Sequence, residues 1–135
     1  MFKILIAEDD IELRQLFYRV LTLHGYSAIC VSDGKEALDV LDKEYVDLII
    51  SDIMMPNMDG IEMLQRIRKD FQISHIPVII LTAKGNDEAK TKAISMGANA
   101  YIIKPFSKDY LVARIEQLLN ERKLFRERVW QQPEE

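Results

Sequence analysis

Five short apolar runs, each followed by a stretch of helical periodicity, constrain this chain more than any other feature. The runs are Ile4-Leu5-Ile6-Ala7, Tyr26 to Val31, Leu48-Ile49-Ile50, Val78-Ile79-Ile80-Leu81 and Tyr101-Ile102-Ile103. Runs this short, with few polar positions, are what a strand covered on both faces requires. Their alternation with helices is the βα rhythm of a parallel sheet. In the first helix Leu13, Leu16, Phe17, Val20 and Leu21 repeat at helical spacing, and Gly25 ends it. Asp33 with Glu36, and Asp59 with Glu62, predict capping boxes. The helices they open have inner faces of Ala37, Leu38 and Leu41, and of Ile61, Met63, Leu64 and Ile67. Asn86 caps a fourth helix that runs to Met96 and stops at Gly97, and Ser107 caps the last.

Four of the runs end in polar groups: Glu8-Asp9, Asp52, Thr82 and Lys104. In parallel strands all of these emerge at one edge of the sheet, where open α/β sheets bind ligands. Two carboxylates about 4 Å apart repel by roughly 4 kcal/mol at an effective dielectric of ~20. Glu8, Asp9 and Asp52 carry three negative charges, which a divalent cation and the Lys104 ammonium would balance. Hard oxygen ligands favour Mg²⁺ over zinc, and no Cys or His sits nearby in sequence. A solvated acidic loop is the plainer alternative, but it leaves the opposing lysine and threonine unexplained.

At 135 residues the chain is long enough for one domain with a real core. The net charge of −4 argues against a nucleic-acid surface on the domain. Cys30, the single cysteine, lies in an apolar stretch and reads as a small buried hydrophobe. No run approaches the ~20 residues of a membrane span, and no basic stretch with an apolar signal core opens the chain. It reads as cytoplasmic.

From Phe2 to about Leu119 the chain resembles the receiver domain of bacterial two-component response regulators. The resemblance rests on four elements in order: Ile4–Asp10, Asp52-Ile53-Met54-Met55-Pro56-Asn57-Met58-Asp59-Gly60, Pro77–Ala83, and Gly97-Ala98 followed by Tyr101 and Lys104-Pro105-Phe106. It implies the flavodoxin-like doubly wound sheet of order 2-1-3-4-5 with five helices; the order is that of a receiver named among the standard examples of this fold. It makes Asp52 the phosphoryl acceptor, a carboxylate nucleophile. Asp9, Asp52 and the Met54 backbone carbonyl would bind Mg²⁺, Glu8 would do so through water, and Lys104 would pair with a phosphoryl oxygen. The Lys104-Pro105 peptide is expected to be cis. Thr82 and Tyr101 become switch residues that reshape the surface of helix 4, strand 5 and helix 5. Tyr101 also has the plainer reading of an edge aromatic. Met54 and Lys84 flank the water route and tune phosphate lifetime, or are ordinary loop side chains.

The resemblance implies a phosphoacceptor signalling switch rather than a turnover enzyme. Its donor would be a histidine kinase or phosphotransfer protein, and its output an effector domain or downstream protein. Asn99 and Ala100 stand where receivers joined to winged-helix domains carry two acids, so the ion-paired dimer of that type lacks partners for Arg114 and a homodimer stays open. A haloacid-dehalogenase phosphatase would place an aspartate two residues after a nucleophile on the first strand, a spacing absent from Glu8-Asp9-Asp10. A phosphorylation-independent interaction module is the third reading.

His24, at a helix end, is explained by the helix dipole, and His75 has no nucleophile or metal partner in view. Met55, Met58 and Met63 read as loop and core filler. The last helix, from Ser107 to Trp130, would be roughly 36 Å long at about 1.5 Å per residue, more than such a sheet covers. Leu111, Ile115 and Leu118 dock it; Arg122, Lys123, Arg126 and Arg128 lie beside Leu124, Phe125, Val129 and Trp130, and Pro133 closes the segment. Residues 1–121 are expected to be the receiver, and 122–135 a helical extension or linker. A solvated face, a coiled-coil seam and a nucleic-acid contact stay open for that extension. The chain is either a stand-alone receiver or part of a longer regulator.

Overall fold

The computed structural model describes the backbone of residues 1–131 and the side chains of residues 1–123. The expectations placed on Leu124, Phe125, Arg126, Arg128, Val129, Trp130 and Pro133 lie outside the described side chains. Strands and helices alternate: β1 (Lys3–Ala7), α1 (Ile11–Leu23), β2 (Ser27–Val31), α2 (Gly34–Lys43), β3 (Leu48–Asp52), α3 (Gly60–Lys69), β4 (Val78–Ala83), α4 (Asp87–Ser95), β5 (Ala100–Lys104) and α5 (Lys108–Gln131). All neighbouring strands pair in parallel, in the order β2-β1-β3-β4-β5. This is the flavodoxin-like order expected above.

Period-two alternation sends each strand's side chains to two cores. Leu5, Ala7, Ile49, Val78 and Ile80 pack with Ala37, Leu41, Leu64 and Ile67 beneath α2 and α3, and Ala93 joins them from α4. Ile4, Ile6, Leu48, Ile50, Ile79 and Ile102 pack with Phe17, Leu21, Leu111 and Ile115 beneath α1 and α5. Burial on both faces holds for β1, β3 and β4, but not for the flanking strands. In β2 only Val31 is fully buried, and in β5 Ile103 is 41% exposed. Those two strands lie at the sheet edges, where apolar runs survive without full cover. Cys30, on β2, is accordingly half-buried rather than a core residue, and burial pushes its thiol up.

The predicted caps form, with a difference. Asp33 and Asp59 accept from the N–H groups of Glu36 and Glu62, each at 2.8 Å. The reciprocal halves do not: the Glu36 carboxylate takes the Ser32 hydroxyl, and Glu62 pairs with Arg66 at 3.3 Å. Asn86 caps α4 at 3.4 Å, and the Ser107 hydroxyl accepts from Tyr110 N at 3.3 Å. Asp10, which the sequence reading passed over, caps α1 by accepting from Glu12 N at 2.9 Å. His24 ends α1, its Nδ1 2.8 Å from the Val20 carbonyl. Helix α5 continues unbroken across residue 121, and the Arg122 guanidinium lies 5.2 Å from the centre of the Tyr45 ring, which itself stacks on His75.

Arg68 is the fold's main polar clamp. Its guanidinium donates to the carbonyls of Ser74 (3.0 Å), Ile76 (2.8 Å) and Gly97 (2.8 and 3.0 Å), and to Asn99 Oδ1 (2.8 Å). Asn99 Oδ1 also accepts from Val78 N at 2.9 Å. The asparagine standing in place of an acid therefore ties the start of β4 to α3. Arg114 instead bonds Gln117 at 2.6 Å. Arg68→Ala strips several carbonyls of their donor and is expected to cost about 2–3 kcal/mol by urea denaturation. Arg68→Lys should recover only part of this, because one ammonium cannot reproduce the fork. Full recovery by lysine would show that the clamp acts through charge alone.

Candidate functional site

Parallel strands put their carboxyl ends on one side, and there the four predicted polar positions meet. Glu8 follows β1, held by its N–H to the Val31 carbonyl at 3.0 Å. Asp52 and Lys104 are the last residues of β3 and β5, and Thr82 is the penultimate residue of β4. Carboxylate oxygens of Glu8, Asp9 and Asp52 lie within 4.8 Å of one another. Lys104 Nζ donates to Glu8 Oε1 at 3.0 Å and to Asp52 Oδ2 at 2.5 Å. The remaining oxygens are also bonded: Asp52 Oδ1 accepts from Ile53 N at 2.7 Å, and Glu8 Oε2 accepts from Asp10 N at 3.3 Å.

The three carboxylates are not equivalent. Glu8 has no exposed surface, Asp52 is 8% exposed, and Asp9 is open to solvent. Burial pushes the Glu8 carboxyl up to about 7; the Lys104 hydrogen bond opposes this and the Asp52 charge adds to it. Burial works against the Lys104 ammonium, but its bonds to Asp52 and Glu8 outweigh that and hold it above its ordinary value. By formal charge three carboxylates face one ammonium, which leaves the cup short of positive charge even with its lysine in place. An all-oxygen set, one exposed carboxylate and a deficit of positive charge fit a hard divalent cation.

The positions expected to act as switches or to tune lifetime lie around this cup in different settings. Thr82 is 2% exposed and its hydroxyl donates to the Ala83 carbonyl at 3.1 Å, not to a carboxylate. Tyr101 sits half-buried on β5 with Lys90 Nζ 4.0 Å from its ring centre, a cation–π contact. Met54 is 73% exposed and Lys84 is exposed, both beyond the ends of their strands. Met63 is core filler and Met58 nearly so, as expected. The Lys104-Pro105 peptide is cis.

The supporting contacts of three residues were not foreseen, although Asn57 and Gly60 stand in the motif after Asp52. Arg14 reaches back from α1 and donates to the Glu8 carbonyl at 2.8 Å. Gly60 brings α3 so close to β3 that its N–H bonds the Ile53 carbonyl at 2.9 Å, and a Cβ there would lie 2.2 Å from the Asp52 carbonyl oxygen. Asn57 takes a positive φ of 65° and bonds Asp33. The Asn and Asp-Gly turn residues were the available signal, but their partners are remote in sequence.

The family model of the response regulator receiver domain matches residues 4–116. The chain is 41% identical over 119 residues to the transcriptional regulatory protein CpxR of Escherichia coli K12, covering 88% of this chain and 50% of that protein. It spans about half the length of the curated relatives it matches. Among solved structures, the receiver domain of Francisella response regulator 1452 superposes with a TM-score of 0.83 at 36% identity, covering 90% of this chain and 99% of that one. The chemotaxis response regulator CheY4 of Vibrio cholerae gives 0.82 at 33% identity, covering 87% and 98%. Among the described residues no helix is long and apolar enough to cross a membrane. With its sheet order, its acidic cup and its opposing lysine, the chain belongs to the response regulator receiver domain family of two-component signalling.

Proposed function

We propose that this receiver is a phosphoacceptor switch in which Asp52 takes a phosphoryl group from a phosphohistidine. The observation that carries the reading is Lys104 Nζ bonded at once to Asp52 and Glu8 inside an acidic cup. A carboxylate oxygen of Asp52 attacks phosphorus, the P–N bond breaks, and its electron pair leaves with the imidazole nitrogen, which is protonated. Lys104, already against Asp52 Oδ2, is placed to neutralise a phosphoryl oxygen. Asp9, Asp52 and the Met54 carbonyl, with Glu8 through water, would hold Mg²⁺. When bound, that ion offsets charge on the phosphoryl oxygens. The cup needs no general base, because a carboxylate is already deprotonated.

Acyl phosphate formation takes Asp52 from about −1 to about −2. The Thr82 hydroxyl is the nearby neutral donor, and turning it inward would break its bond to Ala83. Tyr101 would follow, leaving its contact with Lys90 and changing the α4–β5–α5 surface read by an effector domain or downstream protein. Couplings of this kind run about 1–3 kcal/mol. Met54 and Lys84 would tune the lifetime of the phosphate. In this reading residues 1–121 form the receiver and 122–135 an extension, the setting is cytoplasmic, the donor is a histidine kinase or phosphotransfer protein, and the domain turns over no other substrate.

Incubation with a small acyl phosphate should add one phosphoryl group to the intact mass with Mg²⁺ present, and none with a chelator. Equal modification in both arms would show that phosphoryl transfer to this domain needs no divalent cation.

Protonation and cation binding compete at Glu8. In the metal-free protein its carboxyl is raised from 4.5 to about 7. Across that window the unfolded chain has released the proton and the folded chain has kept it, so this group makes folding less favourable as pH rises from 4.5 to 7. A cation removes that penalty by favouring the ionised form. The rise in thermal midpoint on adding Mg²⁺ is therefore expected to be larger at pH 8 than at pH 5.5. In Glu8→Gln the difference between the two pH values should largely vanish. An equal Mg²⁺ shift at both pH values in the wild type would contradict a buried, cation-linked Glu8.

A further inference from the structure

The residues between β3 and α3, Ile53 to Asp59, form one wall of the mouth of the cup. An open hollow of about 360 Å³ there is lined by Asp9, Met54, Met55 and Asp59. Met54 is 73% exposed, so its side chain does not anchor this loop. Ile53 and Met58 are buried in the core on either side of it, and the start of α2 adds polar contacts. Asn57 Nδ2 donates to Asp33 Oδ2 at 2.7 Å, and Gly34 N donates to the Met58 carbonyl at 3.0 Å. A Cβ on Gly34 would lie 2.9 Å from that carbonyl oxygen, so the two backbones meet directly.

Asp33 is 4% exposed and both its oxygens are engaged, Oδ1 by Glu36 N at 2.8 Å and Oδ2 by Asn57. Those bonds, Asn57's first, hold its carboxyl below the usual carboxylate range. Asn57 keeps a φ of 65°, a region where asparagine is enriched among non-glycine residues. The helix cap needs only one carboxylate oxygen. The other is bonded to a loop whose residues Met54, Met55 and Asp59 line the hollow beside Asp9.

We propose that the Asp33–Asn57 bond is a positioning latch, holding the Met54 main chain against the cup and so setting the cup's affinity for a divalent cation. The inference rests on the reading of Asp9, Asp52 and the Met54 carbonyl as cation ligands. Groups that orient metal ligands typically govern affinity by 10–100-fold. Asn57→Gly separates the bond from the backbone, because glycine keeps the positive φ and deletes the amide. Titration calorimetry with Mg²⁺ at pH 8 should give a Kd about 10-fold weaker in Asn57→Gly, with the metal-free thermal midpoint within a few degrees of wild type.

The exchange Asp33→Asn with Asn57→Asp restores an amide–carboxylate pair and keeps a good cap on α2. It should return the Kd to within about 3-fold of wild type, a rescue that general loosening of the loop would not give. Wild-type affinity in Asn57→Gly, or an exchange variant as weak as Asn57→Gly, overturns the latch and leaves the cup standing. A wild-type protein that binds no Mg²⁺ overturns the cup and the latch with it.

Discussion

Asp52→Asn protein is expected to gain no phosphoryl mass under the conditions that modify the wild type, while remaining folded. An amide nitrogen or oxygen in place of the carboxylate is too poor a nucleophile to form an acyl phosphate. The fold has little reason to fail: Asn is near-isosteric, and its Oδ1 can still accept from Ile53 N or from Lys104, whose Nζ also holds Glu8 at 3.0 Å. Glu8 and Asp9 stand close enough to make the outcome informative, since all three carboxylates lie within 4.8 Å. Residual modification of Asp52→Asn would move the acceptor to one of them. Glu8 is the poorer candidate, being without exposed surface and partly protonated near neutral pH. The measurement is intact mass after donor treatment, beside circular dichroism to confirm folding.

Gly60→Ala is expected to produce the largest loss of stability, about 3 kcal/mol. The added methyl would lie 2.2 Å from the Asp52 carbonyl oxygen and 3.1 Å from Ile53 Cα, both parts of the backbone of a buried segment. No side chain can turn aside to make room. Either α3 lifts, breaking the 2.9 Å bond from Gly60 N to Ile53, or the end of β3 shifts and carries Asp52 with it. Gly25→Ala is the internal comparison. It meets nothing within 4 Å but has a φ of +85°, so it should cost only about 1 kcal/mol of backbone strain. Denaturant midpoints for the two variants decide the point. A Gly25→Ala defect equal to that of Gly60→Ala would mean that close approach to Asp52 is not what the glycine provides. Gly60→Ala should also slow phosphoryl uptake, because displacement of about 1 Å at a reacting group can cost 10²-fold.

The βα alternation and the shared polar edge were legible in the sequence because both depend on local order, whereas the strand order came only with the resemblance to receivers. Apolar runs ending in Glu8, Asp52, Thr82 and Lys104 become a shared edge once the strands are parallel, whatever the details of packing. The cup's inequality was not legible. Adjacent in sequence, Glu8 and Asp9 look equivalent, yet the turn after β1 buries one and exposes the other. The capping signals show the same division. Asp33 and Asp59 cap their helices from three residues away, but Glu36 and Glu62 found other partners, Ser32 and Arg66. The Arg68 clamp, the Asp33–Asn57 bond and the Gly60 contact join side chains to backbone across loops. Their register is fixed only after the helices have docked. Asn99 looked like a missing acid and is instead an acceptor shared by Val78 and Arg68.

A crystal structure of the protein with Mg²⁺ and beryllofluoride, a stable stand-in for the phosphoryl group, tests Asp52 as the phosphoryl acceptor most directly. The fluoride complex is expected bonded to an Asp52 carboxylate oxygen, with Lys104 Nζ on one fluorine and the cation held by Asp9, Asp52 and the Met54 carbonyl. A complex bonded to another residue, or Lys104 turned away from a bare Asp52, would contradict that assignment.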